Sequence, residues 1–338
     1  EQRKMKLVVN VLVMAGLMLG SAALSAQTAS TVTGVGAPVL SNLDPFPPVN
    51  PKYFTADLPT TATVNAFLKQ LWGYDINRIW SVGAILKTQA PGVSRVVVYV
   101  TERGENAKVQ GTSFFTTPDG KHAISGGDII NFGPTPFAET RKLLQERADG
   151  PSRGAASKDL ELVEFIDLQC PHCKEQQSTI DSLLKDFPNA RIVTQNFPLV
   201  DIHPSAYKAA AYGVCVAKKS NSAFFVFMQA VFDTQDSLTP DGTDAALGAA
   251  VTKAGLDPAA IATCADSAST KATVDAQMQL GNDINVNQTP MLSVNGRLVP
   301  LGGISYDVLK QIINYQALQD GVSTGAAAPS LLSVPSLK

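Results

Sequence analysis

Four consecutive residues, Cys170-Pro171-His172-Cys173, constrain this chain more than any other feature. Two cysteines separated by two residues can bridge within one helical turn and can then hand that bridge to another pair of thiols. The flanks decide what the motif sits on. Leu160–Leu168 (LELVEFIDL) is a mostly apolar run of strand length, and Lys174–Phe187 (KEQQSTIDSLLKDF) has the apolar spacing of an amphipathic helix. A strand running into CxxC and then a helix puts Cys170 at the helix N-terminus. Unpaired backbone N–H groups and the helix dipole favour a thiolate there, and a cysteine pKa near 8.5 can fall to about 3.5–7.5. Cys170 is therefore the expected nucleophile, and Cys173, more buried, the residue that resolves or forms a mixed disulfide. Protonated His172 adds a positive charge and a donor. Two other readings share this spacing, a static disulfide and half a zinc site. Zinc needs more ligands at workable spacing, and the remaining cysteines, Cys215 and Cys264, lie singly in helical sequence.

A chain of 338 residues allows two domains or one. The formal charge is −2 and no basic patch points to nucleic acid. At the N-terminus Arg3, Lys4 and Lys6 precede an apolar run, Leu7–Leu19, and then small residues with cleavage expected after Ser25 or Ala26. Residues 1–26 thus read as a signal peptide. The alternative, an uncleaved anchor, meets an apolar run shorter than the ~20 residues a span needs. Export implies a periplasmic or otherwise extracytoplasmic location, where disulfides persist.

Residues 27–57, rich in Pro, Thr, Ser and Asn, read as a flexible linker. Thr63–Trp72 is expected to be helical, with Val64, Phe67, Leu68 and Leu71 on one face. Ile76–Lys87 and Val93–Glu102 read as strands, and Phe114–Ile124 carries a Pro118-Asp119-Gly120 hairpin signal. With a charged helix over Phe137–Ala148, this predicts a small α+β domain over residues 58–150, bounded by Gly150–Ser157. Residues 158–320 form the second unit. Ala190–Asn196 reads as its second strand, followed by a helical insert over about 204–284 that Gly255 and Pro258 break. Asn295-Gly296 between Pro290–Val294 and Arg297–Pro300 is a type I′ hairpin signal. Ser305–Leu318 is the last helix, with Val308, Ile312 and Ile313 inward, and residues 321–338 read as a disordered tail.

Taken together, the stretch Glu164-Phe165-Ile166-Asp167-Leu168-Gln169-Cys170-Pro171-His172-Cys173, the helical insert and a late Thr289-Pro290 resemble the DsbA-type thiol–disulfide oxidoreductases of the thioredoxin-like superfamily. The resemblance covers residues 158–320, and the Pro171-His172 dipeptide is the one associated with oxidising members. It implies an α/β thioredoxin fold with a helical insertion, preceded here by the small α+β domain. It also implies a cis-Pro290 beside the cysteines, with Thr289 offering backbone hydrogen bonds to an extended substrate, and a buried acid at Glu164 that carries the proton of Cys173. An ordinary trans proline and a solvent-facing Glu164 are the competing readings, because Val163 and Phe165 leave the facing of Glu164 open. Residues 112–130 also resemble the N-terminal module of the DsbC/DsbG isomerases, which implies a possible homodimer through residues 58–150.

Cys215 and Cys264 are open between a structural disulfide and two buried thiols. A bridge would close a loop of about 50 residues, worth ~4 kcal/mol. Some DsbA-like proteins resemble the bridged arrangement. His203 is expected to be structural, Asp167 a loop or strand-end residue, and His122 exposed in its hairpin. The expected function is an exported thiol–disulfide oxidoreductase that forms disulfides in reduced or unfolded secreted proteins. It needs no cofactor, and the resemblance implies re-oxidation by a membrane quinone-linked partner. Its alternatives are a dimeric isomerase or reductase, and a peptide-binding, chaperone-like module.

Overall fold

The structure, a computed structural model, describes residues 45–104 and 107–325. The expected signal peptide, the linker up to residue 44 and the tail beyond residue 325 lie outside the described residues. The described residues form two compact units, one within 45–69 and 76–134, the other within 70–75 and 135–325.

In the first unit five antiparallel strands pair in chain order: β1 (Arg78–Lys87), β2 (Ser94–Glu102), β3 (Gln110–Thr116), β4 (His122–Ser125) and β5 (Asp128–Asn131). Helix α1 (Thr61–Trp72) buries Val64, Phe67 and Leu68, as its spacing predicts. The Phe67 ring packs on Phe114 and Phe132 at centroid distances of 6.0 and 4.8 Å. The β1–β2 register shifts between Val82 and Ala84. Gly83 stands at that bulge because a Cβ there would lie 2.4 Å from the Tyr99 ring. Part of the expected linker is ordered: Pro51–Tyr53 makes a 3-10 turn, Phe54 bridges Ile85, and the N–H groups of Thr55 and Ala56 donate to the Ile85 carbonyl. Its prolines and Asn50 thus act as a cap and turn on β1 rather than as free chain.

The second unit holds α2 (Ala138–Arg147) and a sheet of β6 (Ser152–Gly154), β7 (Leu160–Ile166), β8 (Ala190–Asn196), β9 (Met291–Val294) and β10 (Arg297–Pro300), in spatial order β10-β9-β7-β8-β6. β7 and β8 are parallel; the other pairs are antiparallel. Helix α3 (Pro171–Asp186) joins β7 to β8, and α9 (Tyr306–Gln319) follows β10. Their apolar faces (Ile180, Leu183, Leu309, Ile313) meet Leu160, Leu162 and Ile192 on one face of the sheet. On the other face Val163, Phe165 and Val193 pack with Leu144 of α2 and with Leu280. Each such fully buried Leu, Ile or Phe contributes about 1.5–3 kcal/mol by leaving water. This is the βαβ half, the ββα half and the helical insertion between them that the sequence predicts. The units divide at 134/135, before the Gly150–Ser157 segment, because Leu144 buries against the β7–β8 sheet and Ser152–Gly154 adds β6 to it.

The insert consists of α4 (Ala206–Lys219), α5 (Asn221–Asp233), α6 (Thr243–Lys253), α7 (Pro258–Asp266) and α8 (Ala268–Asp283). Local chemistry cuts it: Ser220, Asp257 and Ser267 accept from the backbone N–H groups of Ala223, Ala259 and Thr270 as N-caps, and Pro258 opens α7. Cys215 of α4 and Cys264 of α7 are joined by a disulfide, S–S 1.98 Å. Asn295 and Gly296 have φ of 46° and 92°, the left-handed backbone that a type I′ turn requires. After α9 the chain stays against the unit, where the Asn189 N–H donates to the Thr324 carbonyl.

Candidate active site

The end of β7 delivers the chain to α3 through Asp167-Leu168-Gln169. Cys170 is the N-cap of α3, with extended backbone (φ −77°, ψ 120°), and Pro171 occupies the first turn, where no helical N–H is wasted. The Cys170 carbonyl accepts from Cys173 N–H at 3.1 Å and Lys174 N–H at 3.4 Å, which starts the helix. Both cysteines are free thiols packed into the apolar cluster of the insert. Their burial is unequal in effect: Cys170 retains 4% exposure and Cys173 none.

Thr289–Pro290 is a cis peptide, and Cys170 Sγ lies 3.7 Å from the Thr289 carbonyl oxygen. The Cys170 thiol is held down to about 5, first by a hydrogen bond from Cys173 Sγ, with further support from Thr289 and the N–H groups of Cys173 and His172, against the opposing effect of burial. The Cys173 thiol is pushed well up by burial and by the neighbouring Cys170. His172 contributes its backbone N–H to this stabilisation. Its imidazole, 72% exposed, is turned to Glu175 Oε2 at 3.0 Å, and that carboxylate raises its pKa.

Glu164, on β7, is fully buried. Gln177 of α3 donates to its Oε1 at 2.9 Å and to the Cys173 carbonyl at 3.2 Å, so one side chain couples the acid to the cysteine's helix turn. Burial pushes the Glu164 carboxyl up to about 7, against a downward pull from Arg153. Folding then binds a proton at Glu164 that the unfolded chain has already lost between pH 4.5 and 7, so stability falls as pH rises through that window and levels off above it. Glu164→Gln keeps an acceptor for Gln177 and removes the titration. The reduced variant is expected to match the reduced parent near pH 4 and to exceed it by roughly 3 kcal/mol at pH 8, as read from urea unfolding at both pH values.

The loop itself is clamped by residues that the sequence left without a site role. Asp167, fully buried, accepts from Gln169 N–H at 2.7 Å, Leu199 N–H at 2.9 Å and His203 Nδ1 at 2.7 Å. Gln235 donates to the carbonyls of Leu168 and Cys170, both at 3.0 Å. Gln169 donates to the Leu238 carbonyl and accepts from Ser205 N–H. Apart from the Gln169 N–H, these partners come from the insert and the loop before it, 32 to 69 residues away. No local pattern carries such pairings; the one sequence signal was His203-Pro204 ahead of the first helix of the insert. His122, by contrast, pairs with Asp119 in its own hairpin. Cys215 and Cys264 bind each other, and among the described residues no cluster of His, Cys, Asp or Glu is placed to hold a metal ion.

A reduced cysteine pair with such different surroundings, beside a cis-proline at the end of a central parallel strand, is a dithiol site of thioredoxin type. The profile of the family described as "Thioredoxin" matches residues 146–315, half of the sequence, and the chain belongs to that family. Among curated proteins it is 27% identical over 169 residues to Disulfide bond formation protein D of Bacillus subtilis, covering 48% of this chain and 75% of that protein. It is also 32% identical over 88 residues to Na(+)/H(+) antiporter NhaA 3 of Salinispora tropica, covering 26% of this chain and only 13% of the antiporter. Among solved structures, a thioredoxin-like oxidoreductase from Silicibacter pomeroyi gives a TM-score of 0.46 at 21% identity, over 53% of this chain and 98% of that one. BdbD from Bacillus subtilis gives 0.45 at 23%, over 51% and 93%. No helix among the described residues is long and apolar enough to cross a membrane.

Proposed function

We propose that this chain is a thiol–disulfide oxidoreductase that forms disulfides in exported proteins by exchange at Cys170 and Cys173. The observation that carries the reading is the placement of Cys170 as the N-cap of α3, its Sγ 3.7 Å from the carbonyl oxygen before cis-Pro290, where its thiol is pulled down to about 5 beside a Cys173 thiol pushed the other way. A thiolate that stable favours the reduced enzyme, so the Cys170–Cys173 disulfide gives up its bond readily. A substrate thiolate attacks Cys170 Sγ; the S–S bond breaks and its electron pair leaves on Cys173, which takes a proton. A second substrate thiolate then attacks the substrate sulfur of the mixed disulfide, forming the substrate disulfide and releasing Cys170 as thiolate. Two electrons pass from substrate to enzyme, and the cysteines alone hold them.

In this reading Glu164, with its raised pKa, supplies and removes the Cys173 proton, and Pro171 and His172 shape the helix start. Thr289 offers its backbone to an extended substrate across cis-Pro290. The name of the Bacillus subtilis relative supports disulfide formation, and the signal-like residues 1–26 support an extracytoplasmic site of action. A membrane quinone-linked protein would take the two electrons back. The test uses the full chain: thiolate ultraviolet absorbance followed against pH, and equilibration in glutathione buffers. Half-ionisation near pH 5 with a strongly oxidising equilibrium is expected. A thiol that stays protonated above neutrality, or a pair as reducing as thioredoxin, sinks the reading.

A further inference from the structure

Asp167 does more than end a strand. Its carboxylate has no exposure, and a buried charge is tolerable only when paired and hydrogen-bonded. Two of its three donors are backbone N–H groups; the third is His203 Nδ1, its ion-pair partner among the described residues. Because a carboxylate can only accept, His203 carries its hydrogen on Nδ1. The backbone of the same aspartate is turned to the cysteines. Its N–H donates to Cys173 Sγ at 3.4 Å, and its carbonyl accepts from Cys170 N–H at 3.1 Å. The hydrogen bonds thus run in one direction, from His203 to the Asp167 side chain, from the Asp167 backbone to Cys173, and from Cys173 Sγ to Cys170. A sulfur that accepts one hydrogen bond while donating the next is both oriented and polarised as a donor.

We propose that His203 is a positioning residue for the dithiol, fixing Asp167 so that its backbone N–H holds Cys173 with its S–H aimed at Cys170. The inference rests on the exchange reading above, and it names a residue that touches neither sulfur. It is consistent with the Cys173 hydrogen bond being the first cause of the low Cys170 pKa. His203 lies in the loop between β8 and α4, held by its own N–H to the Leu199 carbonyl at 2.9 Å, and its side chain keeps 18% exposure.

The experiment compares the full wild-type chain with His203→Ala and His203→Asn by thiolate titration and by equilibration with glutathione. Asparagine Nδ2 can stand where Nδ1 stands and still donate to Asp167. His203→Ala is expected to raise the Cys170 titration and to weaken the disulfide as an oxidant of glutathione by about three- to tenfold, whereas His203→Asn stays within about twofold of wild type. Wild-type values in His203→Ala, or an equal loss in both variants, overturn the proposal. Should His203→Ala fail to fold, His203→Gln replaces it, since its donor sits one carbon farther out. A shift toward the alanine expectation then supports the proposal, and wild-type behaviour overturns it. A wild type that does not exchange with glutathione defeats the oxidoreductase reading instead, and the titration, which needs no exchange partner, still decides the role of His203.

Discussion

Cys170→Ser is expected to abolish thiol–disulfide exchange altogether, while Cys173→Ser should capture substrates covalently. The two outcomes follow from the different surroundings of the two sulfurs. Cys170 is the thiol held near 5 at the head of α3, and Cys173 is the one driven upward by burial. At neutral pH only Cys170 is an ionised nucleophile and a stable leaving group. A serine hydroxyl at 170 cannot bridge to Cys173 or form a mixed disulfide, so turnover of a reduced substrate should fall to background. With serine at 173, the Cys170 thiolate still attacks a disulfide in an oxidised substrate, forming a mixed disulfide as the other substrate sulfur leaves as a thiolate, but the resolving thiol is gone. The mixed disulfide should then persist on a non-reducing gel and disappear with reductant. A Cys170→Ser protein that keeps its full activity would point to a peptide-binding module, and capture by Cys170→Ser rather than Cys173→Ser would reverse the assignment.

The second large effect is on stability. Replacing both Cys215 and Cys264 with alanine is expected to cost about 4 kcal/mol in the chain-entropy picture, since the bridge spans 49 positions of sequence. Alanine is the right probe because Cys215 is fully buried in the insert and alanine adds no polar group there. Guanidinium unfolding of the oxidised parent and the double variant measures the difference. The glutathione equilibrium of Cys170 and Cys173 should remain at its parental value. A loss below about 1 kcal/mol contradicts the stabilising role, and a shifted equilibrium would mean that the bridge takes part in electron transfer.

The parts of this molecule that the sequence displays are those whose cause is local. Pro171 after Cys170 marks a helix start, and the positive φ of Asn295 and Gly296 marks a hairpin, because each depends on two or three neighbouring residues. Glu164 shows the limit. β7 is buried on both faces over its whole length, so its sequence has no alternation from which the facing of one residue could be read. β6 escaped notice for another reason: Ser152-Arg153-Gly154 carries no strand pattern and exists because β8 offers it an edge. The clamp of Asp167, His203, Gln169 and Gln235 was illegible because its members meet only after the insert has folded back on the loop. The helical insert itself was readable as a stretch, and its division into five helices among the described residues follows from caps at Ser220, Asp257 and Ser267 that look like ordinary polar residues in sequence.

The outer strands of the second sheet are short, three residues in β6 and four in β10, the latter ending at Pro300. If the clients are unfolded, extended chains, as the proposed exchange function has it, an open sheet edge would risk recruiting them as additional strands. Here the long ribbons β7 and β8 are shielded on both flanks, and what remains in view is too brief to template a growing stack. Under that reading, a client held by a sulfur atom at Cys170 meets only brief free edges on this sheet.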